Sequence, residues 1–183
     1  MARLDISKFL IYRWRYILGY GLVGLLLAGL MVFAALYVPG GISPEETNGV
    51  ITADSIKLFE PATWAIPNLP YYLFQKVSYF MFGVQEFTIK LPSIILGLLS
   101  ALGLIALLRR WFRPNIAVLA SLIAVTTGQF LFIAQNGVPG ILYVFWPVVL
   151  LLLGTQITRV AKHRVLWKIL FAIAVALSLY TPL

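Results

Sequence analysis

The chain has 183 residues, of which 61% are hydrophobic and 11% charged, and its net charge is +8. A soluble domain carries roughly 25% charged residues, so this composition excludes an ordinary water-soluble fold and predicts an all-α membrane protein. The absence of cysteine excludes disulfides, thiolate chemistry and cysteine-ligated zinc. The single histidine, His163, lies in a basic turn and cannot form a metal site alone, so no metal site is predicted.

Five stretches approach the length of about 20 apolar residues that a membrane-spanning helix needs. The first follows a basic start, but its apolar run is longer than the roughly 7–15 residues of a secretory signal peptide, which predicts a retained helix. The last runs to the end of the sequence without a flanking charge, which predicts a truncated product or a fragment of a longer protein. The five predicted spans are residues 16–38, 91–108, 115–134, 138–157 and 165–183.

The positions of the basic residues predict the orientation of these spans. Residues 1–15 and the turns 109–113 and 159–168 hold four, three and four of the 14 lysines and arginines. Cytoplasmic segments of membrane proteins are enriched in these residues, so we expect the amino terminus inside and the chain in the plasma (cytoplasmic) membrane. Basic residues at helix ends are topology signals, so no nucleic-acid partner is predicted. The same alternation places residues 39–90, the long loop, on the outer side.

The long loop carries five of the six acids of the chain. Its first part, Ser43-Pro44-Glu45-Glu46, is typical of a helix start, with Ser43 as N-cap and Glu46 closing a capping box. We therefore predict a helix over about 44–59. Glu46 has two open interpretations at this point, a cap for the backbone and a functional carboxylate.

A second helix is predicted in the long loop over about 70–82. At about 13 residues it is too short to cross a bilayer. Its polar side chains share one face and its apolar side chains cover the other, which is typical of a helix lying in the membrane interface. The two loop helices are expected to form a platform at the outer face of the membrane.

Polar side chains also recur near the outer end of the third predicted span. Thr126, Gln129 and Asn136 would share one helical face because their offsets are three and seven, and Gln135 lies beside them. Uncharged polar groups at that depth either line a site or bond to a neighbouring helix, and both interpretations stay open. Gln129, Gln135 and Asn136 are accordingly candidates for lining a cavity.

The order of these features resembles the N-terminal half of GT-C fold glycosyltransferases, in particular the protein O-mannosyltransferase and aminoarabinose transferase group. The shared features are an acid pair that opens the first outer loop, a Pro-aromatic loop helix, the segment Phe-Gly-Val-Gln-Glu-Phe-Thr-Ile-Lys-Leu-Pro-Ser at 82–93, and Arg-Arg-Trp-Phe at 109–112. The resemblance covers most of residues 16–155. It implies transfer of a hexose or pentose from a polyprenyl-phosphate donor to an acceptor hydroxyl at the outer face of the cell envelope, with inversion. The sugar and the acceptor are not specified.

The resemblance also assigns roles to residues of the long loop. Glu45 takes the position of the family's catalytic aspartate and would act as the base, and Glu46 would orient it or the acceptor. The family's Pro-Pro-Leu-Tyr-Tyr segment corresponds to residues 68–72, so Tyr71 and Tyr72 would line the cavity.

The phosphate that leaves in such a reaction gains charge and needs cations nearby. Lys90, Lys76 and Lys57 are the only basic residues of the long loop, and Lys90 takes the place of an arginine in the family pattern. No cofactor is required, although two adjacent acids leave partial coordination of a divalent ion open.

Two other functions are compatible with the same residues. The first is an inactive membrane subunit that shares this N-terminal region and binds only lipid or a partner. The second is a transporter or flippase fragment, which would require charged or broken helices near the bilayer midplane and internal repeats. The sequence has no acid inside the predicted spans, its only base there is Lys168 near the start of the last span, and it has no convincing repeat, which disfavours the transporter.

Overall fold

The computed structural model describes residues 21, 24–29, 32–33, 41–57, 60–159 and 164–182. These residues are helical or form short connections, which confirms the predicted all-α class. Two single-turn 3-10 helices, Pro61–Trp64 and Pro139–Ile141, interrupt the connections. The α-helices with defined bounds are α1 (Pro44–Ser55), α2 (Leu69–Phe82), α3 (Glu86–Leu108), α4 (Pro114–Val125), α5 (Gly128–Gln135), α6 (Leu142–Arg159) and α7 (Arg164–Ser178).

Two or three segments of the described residues are long and apolar enough to cross a membrane. Helix α3 and the segment Pro139–Thr158 qualify directly, and α4 with α5 forms a third if the bent pair is one span. Helix α7 has 15 residues and is therefore about 22 Å long, less than the roughly 30 Å of a bilayer core. Most of the predicted first span, 16–38, lies outside the described residues. The parts of this span that the structure describes, 21, 24–29 and 32–33, are helical.

The third predicted span, 115–134, is not one continuous helix. Helices α4 and α5 meet at 68° around Thr126 and Thr127. The hydroxyl of Thr126 donates to the carbonyl of Leu122 at 2.8 Å, and the hydroxyl of Thr127 accepts from the backbone of Phe130 at 3.4 Å as the N-cap of α5. The prediction that Thr126, Gln129 and Asn136 share one helical face is therefore wrong, because the helix is broken between the first residue and the other two.

Helix α3 lies at the centre of the described residues and packs against α2, α4, α5 and α6. Its small residues Ser93, Gly97 and Ala101 recur every fourth position and are all buried. Side chains of this size let helices approach closely. Against α6, a Cβ added to Gly103 would lie only 2.8 Å from Cγ1 of Val148. The close packing of α3 fixes the position of its first turns, which carry Lys90.

The two helices predicted in the long loop are both present. Helix α1 ends at Ser55, before the predicted boundary at 59, since Ile56 has an extended backbone with φ −72° and ψ 118°. Helix α2 follows Asn68, which has a left-handed φ of 60° and whose N–H donates to the carbonyl of Tyr180 at 2.7 Å. The side chains of Val77, Phe80, Met81 and Phe82 are more than half exposed, which is typical of a helix in contact with lipid.

Candidate functional site

The two adjacent acids at the start of α1 lie in opposite environments. Ser43 is the N-cap, Pro44 occupies the first turn, and Glu45 is exposed. The next residue, Glu46, is only 2% exposed. Because neighbouring positions on a helix point about 100° apart, one carboxylate can face the protein while the other faces away from it.

Both carboxylate oxygens of Glu46 accept backbone hydrogen bonds. Oε2 accepts from the N–H of Ser43 at 2.9 Å, while Oγ of Ser43 accepts from the N–H of Glu46 at 3.1 Å. This is the predicted capping box. Oε1 accepts from the N–H of Gly137 at 2.6 Å in a buried contact between residues 91 positions apart. A charge-assisted bond in a buried setting is stronger than a neutral one, so Glu46 fixes α1 to the segment between α5 and α6.

Gly137 is a residue of this candidate site that the sequence analysis missed. A Cβ at this residue would lie 2.7 Å from Cγ2 of Ile89, 3.0 Å from the carbonyl oxygen of Ile89 and 3.1 Å from Oε1 of Glu46. The carbonyl oxygen belongs to the backbone of α3 and cannot rotate away. The local sequence Asn-Gly-Val-Pro-Gly at 136–140 indicates a turn, but nothing in it identifies Glu46 as the partner.

Other polar groups of α2 surround this contact. Gln75 is fully buried, its Nε2 donates to the carbonyl of Ile89 at 3.3 Å, and its Oε1 has no hydrogen-bond partner among the described residues. The hydroxyl of Tyr79 is also buried without a partner there. Burial, and to a lesser extent the Glu46 carboxylate, raise the pKa of Tyr79. Tyr79 therefore stays a neutral hydrogen-bond donor in the physiological range.

The two tyrosines predicted to line a cavity, Tyr71 and Tyr72, make contacts that join the elements of the site. Tyr71 is fully buried, and its hydroxyl lies 2.7 Å from Oγ of Ser93, which donates to the carbonyl of Val138 at 3.3 Å. Burial raises the pKa of Tyr71. Tyr72 is half-buried, with its ring edge-on to Tyr71 at 5.7 Å between centroids. This chain of contacts joins α2, α3 and the segment after α5.

The three candidate lysines occupy different places. Lys76 Nζ donates to the carbonyl oxygens of Asp54 at 3.0 Å and of Ile56 at the end of α1. Asp54 follows Glu45 by nine residues, which is about 14 Å along a helix. Lys57 is exposed and forms an ion pair with Glu60 at 3.0 Å.

Lys90 is adjacent in sequence to a residue that contacts Gly137. It follows Ile89, whose carbonyl oxygen lies beside Gly137. Lys90 is 7% exposed, and its Nζ lies 3.0 Å from Oε1 of the half-exposed Glu86. The backbone of Lys90 therefore adjoins the contact made by Glu46, whereas the ammonium of Lys76 and the residue Lys57 lie at the carboxyl end of α1.

The polar residues of the broken third span fall into two groups. Gln129 is exposed and lines a cavity of about 320 Å³ together with Ser100, Thr127 and Val148. Gln135 and Asn136 are half-buried and directly precede Gly137. Only the second group is close to the contact made by Glu46.

The fit of a divalent ion can be judged from the oxygen atoms of the acid pair. Both oxygens of Glu46 already accept N–H bonds. Within the described ranges, no three His, Asp or Glu residues come together. Glu45 and Glu46 therefore do not form a preassembled pair of metal ligands.

Comparison with known families matches residues 67–181, more than half of the chain, to the dolichyl-phosphate-mannose-protein mannosyltransferase family. The matched stretch begins just before α2 and extends beyond α7, so it includes Tyr71, Lys90 and Gly137 and begins after the acid pair. No curated protein and no solved structure gives a significant match to the chain. This family consists of GT-C-type membrane glycosyltransferases, which confirms the resemblance found in the sequence. The chain belongs to the dolichyl-phosphate-mannose-protein mannosyltransferase family.

Proposed function

We propose that this chain transfers a sugar from a polyprenyl-phosphate donor to an acceptor hydroxyl at the outer face of the plasma membrane, with Glu45 as the general base. One observation carries the proposal: Glu45 is exposed at the start of a helix that its neighbour Glu46 ties to Gly137. A base must be accessible to the acceptor and must also be held in place. Glu45 meets the first requirement because it is exposed, and Glu46 meets the second because it holds the helix in place.

The proposed reaction is a single displacement. The acceptor oxygen attacks the anomeric carbon as its proton passes to the carboxylate of Glu45, and the bond from that carbon to the phosphate oxygen breaks. Attack from the face opposite the leaving phosphate inverts the configuration. One positioned base is sufficient because a polyprenyl phosphate departs without protonation, and such a base contributes about 10²–10⁴-fold to the rate.

Lys90 is the lysine that we assign to the departing phosphate. Its backbone is continuous with Ile89, which contacts Gly137, whereas Lys76 and Lys57 lie at the other end of α1. A buried ammonium near a developing negative charge stabilises it more than an exposed one does, because the local dielectric is lower. Lys90 forms an ion pair with Glu86 at 3.0 Å, and the phosphate would take the place of this carboxylate.

The proposal is tested with the full chain in membranes supplied with labelled polyprenyl-phosphate sugars. Transfer of label should be lost in Glu45→Gln and retained in Glu60→Gln, which removes another exposed acid of the long loop. Label transfer by Glu45→Gln at the rate of the unsubstituted chain would exclude Glu45 as the base.

The ion pair between Lys90 and Glu86 favours one alternative function, an inactive subunit that binds lipid or a partner. In that case the ammonium is permanently neutralised by Glu86 and no sugar is transferred. The substitution Glu86→Gln separates the two proposals. It removes the Glu86 carboxylate from Lys90 and should preserve or increase transfer by an enzyme, whereas an inactive subunit shows no transfer with or without it.

A further inference from the structure

Helices α1 and α2 enclose a groove of about 520 Å³ that the sugar-transfer site does not use. Val50 and Ile51 of α1 form one wall, and Phe80 of α2 with Val84 forms the other. Ile51, Phe80 and Val84 are 63%, 92% and 64% exposed. Exposed apolar walls of this kind are suited to a hydrocarbon chain.

Two side chains of opposite charge, Asp54 and Lys76, line this groove without pairing to each other. The ammonium of Lys76 donates to the backbone carbonyl of Asp54, yet the Asp54 carboxylate forms no ion pair within the described part of the chain. Lys76 bonds to two carbonyl oxygens, those of Asp54 and Ile56, which leaves its third N–H available. An unpaired carboxylate and an ammonium that line the same groove are complementary to a ligand that carries both charges.

Tyr79 also lines the groove, but its hydroxyl is buried, so it offers no donor to a ligand there.

The groove lies beside the start of a helix that is long and apolar enough to cross a membrane. Val84 is followed by Gln85, the N-cap of α3, which is one of the helices long and apolar enough to cross a membrane. The exposed side chains of Met81 and Phe82 continue the apolar surface of the groove beside this helix start. The apolar wall can thus meet acyl chains while the two charged side chains stay at head-group level.

The groove is separate from the proposed catalytic acid. Asp54 follows Glu45 by nine residues, or two and a half turns, and therefore projects from the opposite side of α1. A ligand in the groove leaves Glu45 accessible.

We propose that the groove binds a zwitterionic phospholipid with a primary ammonium group, of the phosphatidylethanolamine type. Its ammonium bonds to the Asp54 carboxylate and its phosphate accepts from Lys76. One acyl chain lies against Ile51, Phe80 and Val84. A choline head group has no N–H to donate to Asp54, and a glycerol head group has no positive charge for it, so both bind less tightly.

The experiment uses the full chain in detergent micelles, titrated separately with phosphatidylethanolamine, phosphatidylcholine and phosphatidylglycerol. Bound lipid is counted by native mass spectrometry. We expect tighter retention of phosphatidylethanolamine than of the other two lipids, and a loss of affinity of about fivefold in Asp54→Asn, which removes one charge-assisted hydrogen bond. Glu60→Gln removes an acid outside the groove and should leave retention unchanged.

Asp54→Asn is a suitable variant because the acid lies in the last turn of α1, where the helix dipole disfavours a negative charge. Loss of binding therefore does not reflect loss of folding. A second variant, Ile51→Glu, charges the exposed apolar wall and should weaken retention of phosphatidylethanolamine. Equal retention of the three lipids, or equal binding of phosphatidylethanolamine by Asp54→Asn and Glu60→Gln, would overturn the proposal.

Discussion

At each end of α1, one charged side chain bonds to backbone groups and a second one is exposed. The side chain that bonds to the backbone is negative at the amino end and positive at the carboxyl end. At the amino end, the Glu46 carboxylate accepts backbone N–H groups and Glu45 is exposed. At the carboxyl end, the Lys76 ammonium donates to backbone carbonyls and Asp54 is exposed. In each case one charge satisfies helix-end groups that would otherwise lack partners, and the other remains available to a ligand.

The two ends of α1 differ in how far away along the sequence their bonding partners lie. Glu46 bonds to Gly137, 91 residues away, so the position of Glu45 depends on the packing of α3, α5 and α6. Lys76 bonds to carbonyls 20 and 22 residues away, within the pair α1 and α2. Changes at the amino end should therefore affect catalysis and overall stability, and changes at the carboxyl end should have local effects.

The largest expected effect is that of Glu45→Gln on sugar transfer. Removal of a general base should lower the transfer rate by about 10²–10⁴-fold. The unfolding temperature should stay close to that of the unsubstituted chain, because Glu45 is exposed. Rates of label transfer and thermal unfolding in detergent are to be measured on the same preparation. A parallel loss of activity and stability would place Glu45 in the structural role assigned to Glu46.

Gly137→Ala should have the next largest effect, a loss of stability of about 3 kcal/mol, because the new methyl group meets the backbone oxygen of Ile89 at 3.0 Å. Gly140→Ala is the matched control in the same segment, since its Cβ would meet only Cγ2 of Ile133 at 3.6 Å. We expect the unfolding temperature to fall markedly in the first variant and little in the second. Equal unfolding temperatures for the two variants would contradict the close approach at Gly137.

The helices of the long loop illustrate what could be predicted from the sequence. Ser43, Pro44 and Glu46 specify the start of α1 through local chemistry, and the capping box is present as predicted. The start of α2 was also predicted to within one residue. Both features depend on interactions between residues close in sequence, and these leave a readable pattern.

The site depends on contacts between residues far apart in sequence, which such local patterns do not indicate. The bond between Glu46 and Gly137 joins residues that only the tertiary fold brings together, so the sequence left the role of Glu46 open. For the same reason Lys90 was favoured among the three lysines only by its position in the sequence, and the fold adds that the preceding residue, Ile89, contacts Gly137. The break at Thr126 and Thr127 was missed because threonine occurs in continuous membrane helices as well, and its side-chain bonds to the preceding turn are not visible in periodicity.

Glu46→Gln tests the amino end of α1 with a smaller change than Gly137→Ala. The amide keeps the size of the side chain and one acceptor oxygen, but it loses the negative charge and one of the two backbone bonds. We expect a loss of stability of about 2 kcal/mol together with a partial loss of transfer. Glu45→Gln, the same substitution one residue earlier, is the control. Unfolding temperatures that fall equally in the two variants would show that burial does not distinguish the two acids.

Lys76→Met should have the smallest effect, because it removes bonds only at the carboxyl end of α1. The methionine keeps most of the apolar stem, so the expected loss of about 1 kcal/mol comes from the carbonyls of Asp54 and Ile56 losing their donor. Lys57→Met is the control, since its ion pair with Glu60 is exposed and contributes at most about 1 kcal/mol. Hydrogen exchange should show faster opening of α1 near Ser55 in Lys76→Met, while amides near Gly137 keep their protection. Faster exchange at Gly137 as well would mean that the two ends of α1 are coupled, and that the carboxyl end is not the local attachment inferred from its short-range bonds.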